Sequence, residues 1–164
     1  SAMKISTHLG DVFGIDADLI SIPTDAHLNV NATFIARAGV QFALNFEEMR
    51  EWCETTSNKF KRLPLILPTV LPVAKGDVLK CENVALVFDG STDDKQSPDF
   101  TRVMVRQAYK KLFDLIQEFD YKSVAITIPS YTRGEMKEVL HAMLDRAPKC
   151  SISEVILVSK SITS

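Results

Sequence analysis

The chain alternates short, almost continuous apolar runs with longer segments in which apolar residues recur every three or four positions. Short apolar runs bounded by polar residues, Gly or Pro are typical of buried β-strands, whereas the longer period is that of amphipathic helices. Runs of the first kind cover residues 3–6, 18–22, 76–80, 84–88, 123–128 and 155–158. Because buried strands need helices on both faces, the pattern predicts a layered α/β fold and argues against a helical bundle or a β-sandwich.

Two amphipathic helices are predicted in the second half of the chain. The first begins at Ser97-Pro98-Asp99, which supplies an N-cap hydroxyl, a proline at the first helical position and an acid at the positive end of the dipole. Its apolar positions are Phe100, Val103, Met104, Ala108, Leu112, Leu115, Ile116 and Phe119. The second helix follows the capping-box spacing of Thr132 and Glu135, with Met136, Val139, Leu140, Met143 and Leu144 as its apolar positions.

The remaining segments are less regular. Residues 34–55 contain helix-forming residues, with a break or bend expected at Gly39. Loops are expected at 24–33 and 89–96, and a turn at 81–83. The proline-containing segment 63–72 resists assignment.

The composition is that of a globular domain. Of the 164 residues, 46% are hydrophobic and 24% charged, with only 6 Gly and 7 Pro, which argues against collagen-like and disordered classes. We expect one domain over residues 3–164, with Ser1 and Ala2 left over from expression. No apolar run approaches the roughly 20 residues needed to span a bilayer, and no secretory leader is recognised, so no membrane partner is expected.

The cysteines and histidines indicate neither disulfides nor a metal. Cys53, Cys81 and Cys150 are odd in number and form no C-x-x-C pair, which favours a reducing, cytoplasmic location. The three histidines, His8, His27 and His141, share no metal-ligand spacing. We therefore expect no metal and no cofactor.

Charge gives no general attraction to nucleic acid, because 19 Lys and Arg are balanced by 21 Asp and Glu, for a formal net charge of -2. No nucleic-acid partner is expected on this ground. Arg102, Arg106 and Lys110 nevertheless recur every four residues as a basic stripe on the first predicted helix. Two interpretations stay open: a surface for RNA or an acidic partner, and a solvated face, which is the commoner case.

A candidate site lies where two predicted strands end. Residues 18–22 and 123–128 each run into a proline and a polar loop. In open α/β sheets, ligands bind outside the carboxyl ends of the strands, where a following helix offers unpaired N–H groups and the positive end of its dipole. The pattern therefore predicts an anionic, phosphate-bearing ligand between the two loops.

Three motifs identify a family resemblance. Gly10-Asp11-Val12 occurs before residues 18–25, which read Asp-Leu-Ile-Ser-Ile-Pro-Thr-Asp, and residues 128–134 read Ile-Pro-Ser-Tyr-Thr-Arg-Gly. Together they resemble the Gly-Asp-Ile motif, the strand leading to an asparagine loop and the phosphate loop of the macro domains, in particular phage and bacterial macro-like variants. These proteins bind ADP-ribose, and some branches hydrolyse its esters. The resemblance covers most of the chain and implies a three-layer α/β/α fold with a mixed sheet of about six strands.

The resemblance also implies a set of ligand contacts. Asp11 would bind the adenine amino group with support from the Val12 backbone, although after Gly10 it is equally a turn residue. The loop of residues 25–39 would surround the distal ribose and a phosphate, and Phe88 or Tyr131 would pack on a sugar. The full implied set is Asp11, Val12, Thr24, Arg37, Gly39, Phe88, Ser130, Tyr131, Thr132, Arg133 and Gly134. Backbone donors of residues 130–134 would hold the diphosphate.

The sequence departs from the family pattern in the first loop. Residues 32–39 contain a single glycine where macro domains carry a cluster, and a Cβ there would approach the ligand. Arg37 and Arg133 have two interpretations, as phosphate ligands that replace the missing glycine donors or as solvated side chains. Glu135 is explained by its capping box.

Asp25 replaces the loop asparagine and is the candidate catalytic residue. It would act as a general base for attack of a positioned water at the anomeric carbon or terminal phosphate, or it would simply close an Asx turn.

Two functions follow. The first is recognition of ADP-ribose or an ADP-ribosylated protein, extended to hydrolysis of ADP-ribose esters or ADP-ribose 1''-phosphate. The alternative is a macro-like scaffold that has lost nucleotide binding and acts through protein contacts.

Overall fold

The computed structural model describes residues 3–25, 29–30, 32–42, 48, 51, 55, 68–90, 97–128 and 135–159. Its centre is a six-stranded mixed sheet with the order β1-β6-β5-β2-β4-β3. The strands are β1 Lys4–Leu9, β2 Leu19–Thr24, β3 Thr69–Pro72, β4 Asn83–Phe88, β5 Ser123–Thr127 and β6 Glu154–Ser159. Five strands are parallel and only β3 is antiparallel to its neighbour β4, so the carboxyl ends of five strands meet at one edge of the sheet.

Helices cover both faces of this sheet. They are α1 Ala32–Ala38, α2 Pro98–Phe119 and α3 Glu135–Arg146, with 3-10 turns at Gly39–Gln41 and Ala147–Lys149. Phe34, Ile35 and Ala38 of α1 pack in one apolar cluster, and α2 and α3 pack in a second cluster on the other face. The predicted three-layer fold with a mixed six-stranded sheet is therefore confirmed. Among the described residues, no helix combines the length and apolar character needed to cross a bilayer.

Helix α2 begins as predicted, and the predicted apolar positions Ala108, Leu112 and Ile116 are buried, but other predicted positions are exposed. The Ser97 hydroxyl accepts a hydrogen bond from the Phe100 N–H at 3.1 Å. The predicted core positions Val103 and Phe119 are each 54% exposed. The residues of α2 that are wholly buried are Val105, Ala108, Tyr109, Leu112, Phe113 and Ile116. The prediction was only partly right because apolar residues occupy more than one stripe of this helix, so their spacing alone does not select the buried one.

Several predicted boundaries need correction. Residues 76–80 are not a strand and make only an isolated bridge from Lys80 to Asp16, whereas the unassigned segment 63–72 contains the edge strand β3. β2 continues through Pro23 to Thr24 rather than stopping at the proline. β1 extends beyond the predicted end at Ser6 to Leu9. The side chains of residues 7–9 are exposed, so no apolar run indicated this extension.

The predicted helix over 34–55 is interrupted at Gly39, as expected, where a 3-10 turn follows α1. The predicted turn at 81–83 is one residue shorter in the structure, because β4 begins at Asn83. The predicted capping box at Thr132 and most of the predicted loop 89–96 lie outside the described residues. In α3, Val139 and Met143 are buried as predicted, but Leu144 is exposed.

A buried glutamine holds the segment before β4 in place. The Gln41 amide nitrogen donates to the carbonyl oxygens of Ala74 at 2.9 Å and Leu79 at 2.8 Å. Its amide oxygen accepts from the N–H groups of Val78 at 3.1 Å and Leu79 at 2.8 Å. These four bonds supply the partners that a sheet would otherwise provide, which is why residues 76–80 need no strand pairing.

Asp18 fixes the relative position of β2 and β5 at the opposite edge from the candidate site. Its carboxylate accepts the N–H of Lys122 at 2.7 Å, and its own N–H donates to the Ser123 hydroxyl at 2.9 Å. The register pairs Leu19 with Val124, so the two central strands begin within one residue of a common level.

The basic stripe of α2 is paired with carboxylates. Arg106 Nε lies 2.5 Å from a Glu138 carboxylate oxygen on α3, and Lys110 Nζ lies 3.7 Å from Asp145 on the same helix. Arg102 pairs with Asp99 within α2. Glu138 is buried, and its hydrogen bond and charge raise the pKa of Arg106. The stripe is therefore part of the contact between α2 and α3 as well as a solvated face.

Cys81 is expected to resist alkylation in the folded protein. Burial, with 1% of the residue exposed, raises the pKa of its thiol to about 11. At pH 8 the thiolate fraction is then about 100-fold below that of a thiol with the ordinary pKa near 9, since each pKa unit is a factor of ten. Mass spectrometry after iodoacetamide treatment should show Cys81 unmodified, and modification within minutes in urea serves as the control.

The same shift sets a direction for stability against pH. Because the folded state holds the thiol proton more tightly than the unfolded chain does, the contribution is complete below pH 9 and is lost as the pH rises toward 11. Equal alkylation rates in native and denaturing buffer would contradict this placement of Cys81.

Candidate functional site

The candidate site is the edge where the five parallel strands end. Its loops are tied together by main-chain hydrogen bonds: Gly10 N–H to Ser159 O at 2.8 Å, Ile128 N–H to Val158 O at 2.8 Å, and Asp89 N–H to Thr24 O at 2.8 Å. The residues that follow β1, β4 and β5 are therefore held near the ends of neighbouring strands. The sequence predicts a ligand at this edge, outside the carboxyl ends of buried strands, and that ligand site stays a prediction.

Asp11 lies in a turn that Gly10 makes possible. Gly10 has a φ of +131°, a conformation that residues with a Cβ rarely adopt. One Asp11 carboxylate oxygen accepts the Phe13 N–H at 3.1 Å, so the turn interpretation of Asp11 is confirmed. The other oxygen accepts a hydrogen bond from an Arg37 terminal nitrogen at 3.1 Å. Asp11 thus connects the turn after β1 to helix α1.

Arg37 lies on an aromatic stack beside Asp11. Its guanidinium carbon lies 3.8 Å from the centre of the Phe13 ring. Phe13 stacks on Phe34, with centroids 5.6 Å apart and ring planes 18° apart, and Phe34 meets Phe42 edge-on. The sequence offered Arg37 as a phosphate ligand or a solvated side chain. The structure instead places its guanidinium against a carboxylate and an aromatic ring.

Asp25 closes the loop after β2. Its two carboxylate oxygens accept from Asn29, one from the backbone N–H at 3.0 Å and the other from the side-chain amide at 2.7 Å. Asp25 therefore closes its loop through the residue four positions later, whereas the predicted Asx turn would use the N–H two positions later. Its catalytic role stays a prediction.

Thr24 and Phe88, two predicted contacts, are buried at neighbouring strand ends. The Thr24 hydroxyl has no hydrogen-bond partner among the described residues. Phe88 packs in the cluster beneath α2 and α3, so a sugar could contact its ring only after that ring moved. Their ligand contacts stay predictions.

The other predicted contacts are placed as follows. Val12 is buried behind Asp11. Gly39 is buried in the 3-10 turn, where an added Cβ would lie 3.5 Å from the Ile35 side chain, an ordinary contact distance. Ser130, Tyr131, Thr132, Arg133 and Gly134 lie outside the described residues.

Asp89 is the residue that sequence reasoning missed. It is buried directly after β4, and its N–H bonds to the strand end beside it. The signal was present, since an acid follows an apolar run here as Asp25 follows β2, but the polar residues after it suggested only a loop. Over the part of the chain that is described, no group of three His, Cys, Asp or Glu side chains is placed to hold a metal ion.

Comparison with known proteins gives structural matches only. No protein-family model and no curated protein matches the sequence. The macrodomain of Mycobacterium tuberculosis DarG has a TM-score of 0.65 at 14% identity, covering 95% of this chain and 98% of that chain. The macrodomain of Thermus aquaticus DarG has a TM-score of 0.66 at 11% identity, covering 98% of this chain and 100% of that chain. A variant Oceanobacillus iheyensis macrodomain with ADPR has a TM-score of 0.70 at 15% identity, covering 96% of this chain and 84% of that chain.

Proposed function

We propose, on the premise that this chain has the macrodomain fold, that it recognises ADP-ribose, free or attached to a protein, at the edge where its parallel strands end. The fold implied by the motifs is shared with the solved macrodomains over almost the whole chain. The O. iheyensis macrodomain, solved with ADPR and with ADP, supports this ligand class.

The placement of Asp11 carries the proposal. The motif resemblance assigns this residue to the adenine amino group, and the carboxylate stands at the end of β1 in a turn fixed by two hydrogen bonds. Each carboxylate oxygen can accept two hydrogen bonds, and each oxygen of Asp11 has one described bond. An exocyclic amino group can therefore join Phe13 and Arg37 as a further donor.

The phosphates would lie toward the centre of the edge, over the ends of β2 and β5. There the buried Thr24 hydroxyl is a candidate donor. The backbone N–H groups of residues 130–134 are the further donors that the resemblance implies. Successive backbone N–H groups can bind a diphosphate without Lys or Arg side chains.

Binding is proposed ahead of hydrolysis because turnover demands more of Asp25. A general base needs a carboxylate oxygen directed at a water, so one of the Asp25 oxygens, each of which already accepts a hydrogen bond from Asn29, would have to accept a second one from that water. Hydrolysis of ADP-ribose esters therefore stays a second step, to be assayed once binding is measured.

Titration calorimetry with ADP-ribose tests the proposal. We expect heat that saturates at micromolar ligand with one site per chain. No binding heat at millimolar ADP-ribose would exclude the proposal and favour the alternative function, a scaffold that acts through protein contacts. ADP and ribose 5-phosphate, titrated separately, report which half of the ligand supplies the affinity.

A further inference from the structure

We propose that the outward face of the Arg37 guanidinium is the stacking platform for the nucleobase of the bound nucleotide. This inference rests on the proposed function and deepens it, because it assigns base affinity to a residue that the sequence offered only as a phosphate ligand or a solvated side chain. Three observations carry it: the plane of the guanidinium is covered on one side, held at its edge and open on the other side.

The covered side faces Phe13. The guanidinium carbon is 3.8 Å from the ring centre, which is stacking distance, and Phe13 in turn rests on Phe34. Phe34 is buried in the apolar cluster under α1. The platform is therefore the outermost layer of a stack that is rooted in the core.

The held edge is the ion pair with Asp11 at 3.1 Å. Because Asp11 is itself fixed by the Phe13 N–H, the guanidinium has its orientation set before any ligand arrives. A pre-oriented side chain loses less conformational entropy on binding than a free arginine does.

The Arg37 side chain keeps 49% of its accessible surface, and because the described contacts of its guanidinium are Phe13 on one face and Asp11 at one edge, we assign the exposed surface to the other face. A planar, delocalised and weakly hydrated cation is a good surface for a nucleobase, and arginine planes are used in this way in nucleic-acid binding. Stacking of this kind tolerates different bases. Affinity would thus come from Arg37, and selectivity for an amino-bearing base from Asp11.

A phosphate role for Arg37 fits these contacts less well. An in-plane donor of the guanidinium is directed at the Asp11 carboxylate, which neutralises the charge that a phosphate would need. The side chain also lies beside Asp11, at the base end of the proposed site. The contacts of Arg37 therefore favour base stacking over phosphate binding.

Two substitutions distinguish them. Arg37→Met removes both charge and plane, whereas Arg37→Lys keeps the charge and removes the plane. For a stacking platform, both variants weaken ADP-ribose binding about tenfold, and the preference for ADP-ribose over its inosine analogue stays unchanged. For a phosphate ligand, the lysine variant retains most of the affinity.

Arg102→Met is the matched control. Arg102 is also a half-exposed arginine paired with a carboxylate, but it lies on α2, which packs against the opposite face of the sheet from α1. It should bind ADP-ribose as the parent does. Thermal melting of all three variants checks that each is folded.

The Arg37 side-chain N–H resonance gives a direct readout. A base stacked on the guanidinium shifts this resonance upfield through its ring current, whereas a phosphate contact shifts it downfield. An upfield shift on adding ADP-ribose supports the platform, and a downfield shift or none at saturation overturns it.

The outcomes separate the two proposals. If the parent binds ADP-ribose and the lysine variant binds equally well, the platform is wrong and the proposed function stands. If the parent does not bind ADP-ribose, both fail together.

Discussion

Replacing Gln41 with leucine should lower the free energy of unfolding by about 3 kcal/mol, and the melting temperature by about 9 °C. Gln41 makes four hydrogen bonds through its side chain, to Ala74, Val78 and Leu79. Leucine has a similar size but leaves these main-chain groups without partners, and an unsatisfied buried group costs roughly 1–3 kcal/mol. Thermal and urea unfolding followed by circular dichroism would measure the loss.

Gln117→Leu is the control for this prediction, because Gln117 is exposed on α2 and should change stability little. A second test uses Gly76, where an added Cβ would lie 2.7 Å from the Gln41 amide nitrogen. Gly76→Ala should therefore destabilise the parent but cost less in a Gln41→Ala background. Additive effects of the two changes would show that Gln41 does not hold this segment.

Asp11→Ala should weaken ADP-ribose binding about 30-fold. The change removes the acceptor proposed for the adenine amino group and also releases the guanidinium of Arg37. The effect should exceed that of either Arg37 variant because two contributions are lost together. Calorimetry with the same ligand, at one salt concentration, measures both.

Asp145→Ala is the matched control for Asp11→Ala. The two aspartates are similarly exposed, at 52% and 48% of the side chain, and each is paired with a cation, but Asp145 lies on α3 on the far face of the sheet. Parent-like affinity in Asp11→Ala would remove the adenine assignment while leaving the fold untouched.

Local signals predicted the parts of the fold that local chemistry determines. The start of α2 was readable because Ser97 and Pro98 act on their own helix. β3 was not readable, since its pairing with β4 depends on a partner distant in sequence. Residues 76–80 looked like a strand, but their hydrogen-bond partners come from a side chain that lies 35 or more positions earlier.

The site shows the same division. The motif at Gly10 and Asp11 predicted a turn at the end of β1, and the structure has that turn, whereas the ligand role of Asp11 stays a prediction. The position of Arg37 was not predictable, because its contacts with Asp11 and Phe13 cross 26 and 24 positions of the sequence. The sequence shows that a charged residue lies in a loop or helix, but the direction of its side chain is set by tertiary packing.

β1 is one of the two edge strands of the sheet, and its described strand partner is β6. The proposed base contact at Asp11 therefore follows an edge strand, which opens locally more readily than a central one, whereas Asp25 follows a strand with partners on both sides. Binding of the nucleobase at Asp11 would stabilise β1 against local opening. The measured affinity would then be lower than the intrinsic affinity by the free energy needed to order this strand.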